Sequence, residues 1–113
     1  MLYRFLDFEV DSEQYAITRQ SCPVRIEPRV FDLIIYLIRE RRRMVTRQEI
    51  LEQLWRHQTV SLSVLTRAVC LARKALNSSN SIRTVHARGY QWVTPVTVLG
   101  VQAEYFPDTG PQG

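Results

Sequence analysis

The chain has 113 residues, 45% hydrophobic residues and a formal net charge of +4 at pH 7, which indicates one folded domain rather than a disordered segment. The longest apolar run, Leu33 to Ile38, is far shorter than the ~20 residues of a membrane span, and the first residues lack the pattern of a signal peptide, so we expect none. Cys22 and Cys70 lie far apart, and the two histidines have no metal-ligand spacing, so we expect no metal site and a reducing cytoplasm.

Charge is unevenly distributed along the chain. Residues 1–38 carry four bases and six acids, residues 39–94 carry eleven bases and three acids, and residues 95–113 carry two acids. Fourteen of the fifteen bases are arginine, whose guanidinium binds phosphate groups and guanine edges through two parallel hydrogen bonds. The central segment therefore predicts nucleic acid as a partner, and the alternative is a solvated basic surface that binds nothing.

The first quarter of the chain predicts three short antiparallel strands. Residues 2–10 alternate roughly between apolar and polar side chains, and residues 15–19 and 23–26 follow after polar turns. On a single strand over residues 2–10, one side would carry Leu2, Arg4, Leu6 and Phe8.

A first helix is predicted over residues 28–40. Pro28 suits a first helical position, and the apolar residues after it recur at helical spacing, so this helix should lie deep in the core. The triplet Arg41–Arg43 closes it. We interpret this triplet as positive charge that complements the helix dipole, with a DNA contact as the alternative.

A second helix is predicted over residues 46–56. Thr46 is a suitable cap, and Glu49 completes the pattern of a capping box. The buried face of this helix should contain Ile50, Leu51, Leu54 and Trp55.

A third helix is predicted over residues 61–77, with Ser61 as its cap. Its expected core face consists of Leu65, Val69, Ala72 and Leu76. Its opposite side carries Ser63, Arg67, Cys70, Leu71 and Lys74, flanked by Thr66 and Arg73. Since none of these residues is acidic, this side could enter a nucleic-acid groove without charge repulsion.

A β-hairpin is predicted over residues 82–94, with Gly89 relieving the turn between its strands. Thr84, His86 and Arg88 should share one side near its tip. Residues 95–113 have the composition of a tail or linker, and we place the domain at 1–98 and the tail at 99–113. Two amphipathic helices followed by a basic hairpin have the layout of a helix-turn-helix with a wing.

Four sets of segments, in matching order and spacing, carry a resemblance to a known family. They are Ile26–Ile34; Met44–Trp55; Val64–Val69 with Ala72–Leu76; and Ile82–Val85 with Arg88–Tyr90 and Pro95–Val96. From Tyr3 to about Val98 the chain resembles the OmpR/PhoB-type winged-helix DNA-binding domain, and within it the one-component branch typified by CadC, ToxR and HilA. The resemblance implies an α+β fold: an N-terminal antiparallel sheet, three helices and a C-terminal hairpin wing.

The resemblance also implies a function. The chain would bind double-stranded DNA sequence-specifically as a cytoplasmic bacterial transcriptional regulator, with its third helix in the major groove and its wing on the minor groove or backbone. Expected partners are DNA, further copies of the chain on tandem half-sites and RNA polymerase. No cofactor, metal, catalytic residue or membrane contact is expected. The DNA-binding domain would come first in the chain, and whether the chain is complete or excised stays open.

The residues that the resemblance places at DNA are Ser63, Arg67, Ala68, Cys70, Leu71, Arg73 and Lys74 on the third helix and Thr84, His86 and Arg88 on the wing. Arg67 is the candidate for reading guanine, with a phosphate contact or an ion pair inside the protein as alternatives. Arg73 and Lys74 are candidates for phosphate contacts, and Arg88 for the minor groove. Ser63 and Thr84 could donate to phosphate, and Arg47 could do so from the start of the second helix.

Three of these residues leave alternatives open. Leu71 could contact a thymine methyl group or be buried against another protein. Cys70 could be a redox sensor or an inert small residue, and His86 could make binding pH-dependent or be an ordinary wing contact. The competing function is a protein-binding winged helix that uses Leu71 and the region of Leu62. No motif supports an enzyme.

Overall fold

The computed structural model describes residues 1–56, 58–77 and 80–99. The contacts between these residues divide them into two compact units. The first consists of residues 1–24 and 95–99, and the second of residues 25–94. The first unit contains β1 (Leu2–Phe5), β2 (Phe8–Asp11), β3 (Ala16–Arg19), β4 (Cys22–Pro23) and β8 (Thr97–Leu99). The second contains α1 (Pro28–Arg39), β5 (Val45–Thr46), α2 (Arg47–Leu54), α3 (Leu62–Ala75), β6 (Ile82–Val85) and β7 (Gly89–Trp92). None of the helices in these ranges is long and apolar enough to cross a membrane.

The first unit is a five-stranded antiparallel sheet in the order β4-β3-β2-β1-β8. The single strand predicted over residues 2–10 is wrong, because the chain turns at Leu6, whose φ is 51°. Phe5 pairs with Phe8, and Tyr3 with Val10, so these four side chains lie on one face of the sheet, and all four are buried. The apolar residues change from odd to even positions between Phe5 and Phe8, which is the phase change that a hairpin requires.

Two further boundaries of this sheet differ from the prediction. The predicted strand over residues 23–26 is limited to Cys22–Pro23. Thr97–Leu99, for which we predicted no strand, forms β8 and pairs with β1 from Leu2 to Arg4. The remainder of the predicted tail, residues 100–113, lies outside the described residues.

The second unit is built around α1, whose predicted helix is confirmed except that it ends at Arg39. Pro28 occupies the first turn, and the apolar stripe that follows is buried: Val30, Leu33, Ile34, Leu37 and Ile38. Glu27 occupies the N-cap position with extended backbone, but its side chain makes no capping hydrogen bond. That carboxylate is therefore available for other contacts.

The capping predictions for the other two helices have different outcomes. Thr46 caps α2 as predicted, since its Oγ1 accepts a hydrogen bond from the backbone N–H of Glu49 at 3.1 Å. Ser61 occupies the N-cap position of α3 but makes no capping bond. Its Oγ lies 2.6 Å from Oγ of Ser63 instead. The predicted core face of α3 is confirmed, with Leu65, Val69, Ala72 and Leu76 all buried.

A three-stranded sheet in the order β5-β7-β6 completes the second unit. The predicted hairpin is confirmed, but the reason given for Gly89 was wrong, because the turn residue with positive φ is Ala87, at 58°. Gly89 lies in β7 against β5, where a Cβ atom would be 2.0 Å from the backbone oxygen of Val45. Glycine is needed there for the close approach of two strands.

Candidate nucleic-acid interface

The exposed side of α3 is a polar surface that we call the α3 outer face. Its members are Ser63, Thr66, Arg67, Cys70 and Lys74, all of them exposed. They follow helical spacing over three turns, opposite the buried stripe, because α3 is amphipathic. Lys74 forms no ion pair with any described residue. The unit that contains this face, residues 25–94, carries thirteen bases and five acids.

Ala68 does not belong to this face, contrary to the prediction. It is 5% exposed, since it lies three residues after Leu65 and four before Ala72 and therefore shares their buried stripe. Its methyl group contributes to the core.

Leu71 lies at the edge of the α3 outer face and is less exposed than the members of that face. It is half-buried and lines a cleft of about 290 Å³ between the start of α1 and the last turns of α3. The other residues that line this cleft are Arg25, Ile26, Glu27, Val30, Lys74 and Ala75.

Arg73 is held inside the unit and does not project freely towards a ligand. Its Nη2 donates hydrogen bonds to the backbone oxygen of Ile82 and to Oγ1 of Thr84, both at 2.8 Å. Its Nε is buried and has no hydrogen-bond partner in the described parts of the chain. The phosphate contact that we predicted from its position in the sequence overlooked these acceptors on β6.

The wing presents three exposed side chains near its turn, Thr84, His86 and Arg88. The backbone N–H of Arg88 donates to the oxygen of Val85 at 2.9 Å and closes the turn. The Arg88 guanidinium has no ion pair among residues 1–56, 58–77 and 80–99.

Arg47 connects α2 to the wing. Its backbone N–H donates to the oxygen of Arg88, and its Nη2 donates to the oxygen of Ala87, both at 3.1 Å. The first N–H group of α2 is therefore satisfied within the protein. Because the backbone N–H and Nη2 of Arg47 already donate within the protein, they are not free to bind the phosphate group that we predicted at the start of α2.

Sequence reasoning missed Glu27 as a neighbour of the α3 outer face. Its Oε2 lies 3.9 Å from Nη2 of Arg67. At this distance the two groups form an ion pair but no hydrogen bond. Because both side chains are also more than half exposed, the ion pair is weak. We predicted that Arg67 would contact guanine, contact phosphate or form an ion pair inside the protein. The structure contains the ion pair, with Glu27. The only sequence signal was the acid directly before Pro28.

Two of the three arginines after α1 have partners within the protein, Arg41 and Arg43. Nη1 of Arg41 donates to the oxygen of Ile38 at 2.9 Å, which confirms the role at the helix end. Arg43 pairs with Glu40 and Glu49. The Arg43 guanidinium, helped by a hydrogen bond from the hydroxyl of Tyr36, lowers the pKa of Glu49 to about 2. Burial, with the Glu49 carboxylate, raises the pKa of Tyr36 to about 12.

The described residues contain no group of three or more His, Cys, Asp and Glu side chains that could hold a metal ion. Cys22 and Cys70 are both free and exposed.

The second unit thus has the elements of a winged helix: α2 and α3 joined by a short connection, and a β-hairpin after them. This fold, with a basic surface on α3 and the wing, defines a class of transcriptional regulatory domains. The chain belongs to the family described as transcriptional regulatory protein, C terminal, whose model matches residues 21–92. The predicted fold and family are confirmed, and the family is one of regulators, not of enzymes.

Two relatives and one solved structure illustrate the match. The chain is 28% identical over 85 residues to the transcriptional activator CadC of Escherichia coli, covering 71% of this chain and 17% of CadC. It is 37% identical over 93 residues to the phosphate regulon regulator PhoB of Rhizobium meliloti, covering 79% of this chain and 41% of PhoB. The DNA-binding domain of E. coli CadC superimposes with a TM-score of 0.76 at 27% identity, covering 85% of this chain and 94% of that domain. The chain spans less than half the length of either relative.

Proposed function

We propose that this chain binds double-stranded DNA sequence-specifically for a bacterial transcriptional regulator. In this proposal α3 enters the major groove, whose width admits a helix, and the hairpin β6–β7 contacts the adjacent minor groove or the backbone. The observation that carries the proposal is the α3 outer face. It is exposed over three turns, contains Arg67 and Lys74, and has no acidic member.

Different side chains have different roles in this proposal. Arg67 projects from the middle of α3 and would read a guanine edge, while Lys74 at the end of the helix would bind phosphate. Ser63 would donate to phosphate near the start of the helix. Arg88, exposed at the turn of the wing, would enter a narrow minor groove.

Further partners follow from the same proposal. Copies of the domain would bind neighbouring half-sites, because one recognition helix and one wing read only a short sequence. RNA polymerase is the partner proposed for activation. The regulator would work in the cytoplasm, where bacterial DNA is located.

A protein-binding winged helix is the second candidate. Leu62 and Val64, in the first turn of α3, are 45% and 36% exposed, while Leu71 is half-buried. An apolar contact is thus better supported at the start of α3 than at Leu71.

Fluorescence anisotropy with a random pool of duplexes, at about 50 and 200 mM salt, tests the proposal. Several phosphate contacts should reduce the affinity by orders of magnitude across this range. Recovery of an enriched motif is expected. Salt-sensitive binding without a motif would contradict sequence specificity for the isolated chain. No binding at the lower salt concentration would contradict DNA binding and favour the protein-binding role.

A further inference from the structure

The side chain of Arg73 links the end of α3 to the wing. Its Nη2 reaches two acceptors on β6 that are two residues apart, the oxygen of Ile82 and Oγ1 of Thr84, each at 2.8 Å. The Arg73 side chain is half-buried, and its buried Nε lacks a partner in the described chain. Leaving a buried donor unsatisfied is unfavourable, so the two bonds from Nη2 must hold the guanidinium in this position.

The bond to Thr84 constrains the direction of the Thr84 hydroxyl hydrogen. A hydroxyl has one hydrogen to donate and two lone pairs to accept with. Since Arg73 occupies a lone pair, the hydrogen has to point to another acceptor. Thr84 is exposed, and its side chain makes no other hydrogen bond to the described residues. A guanidinium donating to the oxygen also polarises the O–H group, which favours an anionic acceptor.

We propose that Arg73 is a positioning residue that holds β6 on α3 and orients the Thr84 hydroxyl to donate to a phosphate oxygen of DNA. This inference rests on the proposed function, because the phosphate belongs to the DNA that α3 and the wing would bind. Arg73 does not touch the DNA in this arrangement, and Thr84 does. The arrangement fixes the wing contact relative to the groove that α3 occupies.

Arginine suits this role better than lysine. One guanidinium nitrogen serves both β6 acceptors in a fixed plane, whereas a lysine ammonium is a flexible point charge. Arg73→Lys keeps the positive charge near the DNA but loses the geometry. A purely electrostatic role therefore predicts little change in this variant, and a positioning role predicts a loss.

The experiment is a double-mutant cycle on DNA affinity, measured by anisotropy on the duplex that the wild-type protein selects. Arg73→Lys and Thr84→Val should each weaken binding about tenfold, the value of a lost charge-assisted hydrogen bond. The double variant should bind about as well as the weaker single variant. Thr84→Ser, which keeps the hydroxyl, should restore most of the affinity.

Arg83→Lys is the matched control. Arg83 is the neighbouring residue on β6, and its Nη2 donates to Oε1 of Gln91 at 3.0 Å. The same exchange there should leave affinity within about twofold. Thermal unfolding of each variant identifies loss of the fold, and Thr84 is exposed, so Thr84→Val tests the contact even where an Arg73 variant is unstable.

Salt dependence separates positioning from a direct phosphate contact by Arg73. A direct contact predicts that Arg73→Gln lowers the slope of log affinity against log salt by about 1, while positioning leaves this slope nearly unchanged. A lowered slope, additive losses in the cycle, or wild-type affinity in Arg73→Lys would each overturn the inference while leaving DNA binding intact. A wild-type protein that binds no duplex would overturn the proposed function as well.

Discussion

Oε2 of Glu27 lies 3.9 Å from Nη2 of Arg67, so the residue that precedes α1 places a carboxylate beside the middle of α3. Arg29, two residues further on, is directed elsewhere, with its guanidinium 5.4 Å from the centroid of the Trp55 ring. Glu27 is thus the acidic neighbour of an otherwise basic and polar helix surface. In a DNA complex Arg67 would exchange this carboxylate for a base or a phosphate group.

Glu27→Gln should strengthen DNA binding severalfold at about 50 mM salt. The substitution removes both the competitor for Arg67 and a negative charge close to the DNA, and exposed ion pairs contribute up to about 1 kcal/mol. The gain should shrink at about 200 mM salt because exposed charges are screened. The control is Glu52→Gln on α2, whose carboxylate accepts from Gln48 instead of pairing with arginine. Equal gains in both variants would contradict a specific role for Glu27.

Arg67→Ala and Lys74→Ala should change DNA binding in different ways. Loss of a guanine contact relaxes the choice of sequence and costs about 1–3 kcal/mol on the preferred site, whereas loss of a phosphate contact weakens all sequences alike. Selection from a random duplex pool, followed by affinity measurements on the best and on unrelated sequences, compares the two variants. Uniform losses in both would refute base reading by Arg67.

Thr46→Ala should destabilise the chain by about 1 kcal/mol, because the Glu49 N–H loses its capping acceptor. Ser61→Ala is the matched comparison at the start of α3, where the serine occupies the cap position without making the bond. It should cost less than about 0.5 kcal/mol. Urea unfolding measures both values, and a larger cost at Ser61 would contradict the assignment of the caps.

Gly89→Ala should destabilise the chain by about 3 kcal/mol. The added Cβ would meet the Val45 backbone oxygen at 2.0 Å, and β5 and β7 would have to separate. Ala87→Gly, two residues earlier, should be tolerated within about 1 kcal/mol, since the φ of 58° at Ala87 suits glycine. Thermal unfolding distinguishes them, and a well-tolerated Gly89→Ala would show that the strands can move apart.

Acid should remove the contribution of Glu49 to stability. The Arg43 guanidinium, with the Tyr36 hydroxyl, lowers its pKa from 4.5 to about 2 in the folded chain. A lowered folded pKa means that the stabilisation is present above the unfolded value of 4.5 and is lost as the pH falls towards about 2. We expect Glu49→Gln to be about 1 kcal/mol less stable than wild type near pH 7, with the difference disappearing near pH 2. Urea unfolding of both proteins across this range checks it, and a difference independent of pH would contradict it.

The elements that sequence predicts well are those whose signals are local. The helix α1 begins at Pro28 and follows an apolar stripe of constant spacing, so its limits were predicted to within one residue. Between Phe5 and Phe8 the buried apolar residues shift from odd to even positions. The single strand predicted over residues 2–10 did not take this shift into account, so the hairpin was not predicted. Ala68 could have been excluded from the DNA side by its spacing from Leu65 and Ala72.

The remaining differences depend on contacts between residues far apart in the sequence. The acceptors of Arg73 lie on β6, and the carboxylate beside Arg67 comes from the start of α1. Arg47 donates to oxygens at the wing turn, forty positions along the chain. No periodicity in one segment reports such pairs, because they form only when the helices and the hairpin have packed.

Lys74, exposed at the end of α3, is the only lysine among the 113 residues of the sequence. Reagents that attach dyes or surfaces to lysine side chains would therefore modify the proposed DNA-binding side of the helix. Samples coupled through Lys74 should lose DNA binding while keeping their fold. Attachment at Cys22, on β4, in a Cys70→Ser variant would leave that side unmodified.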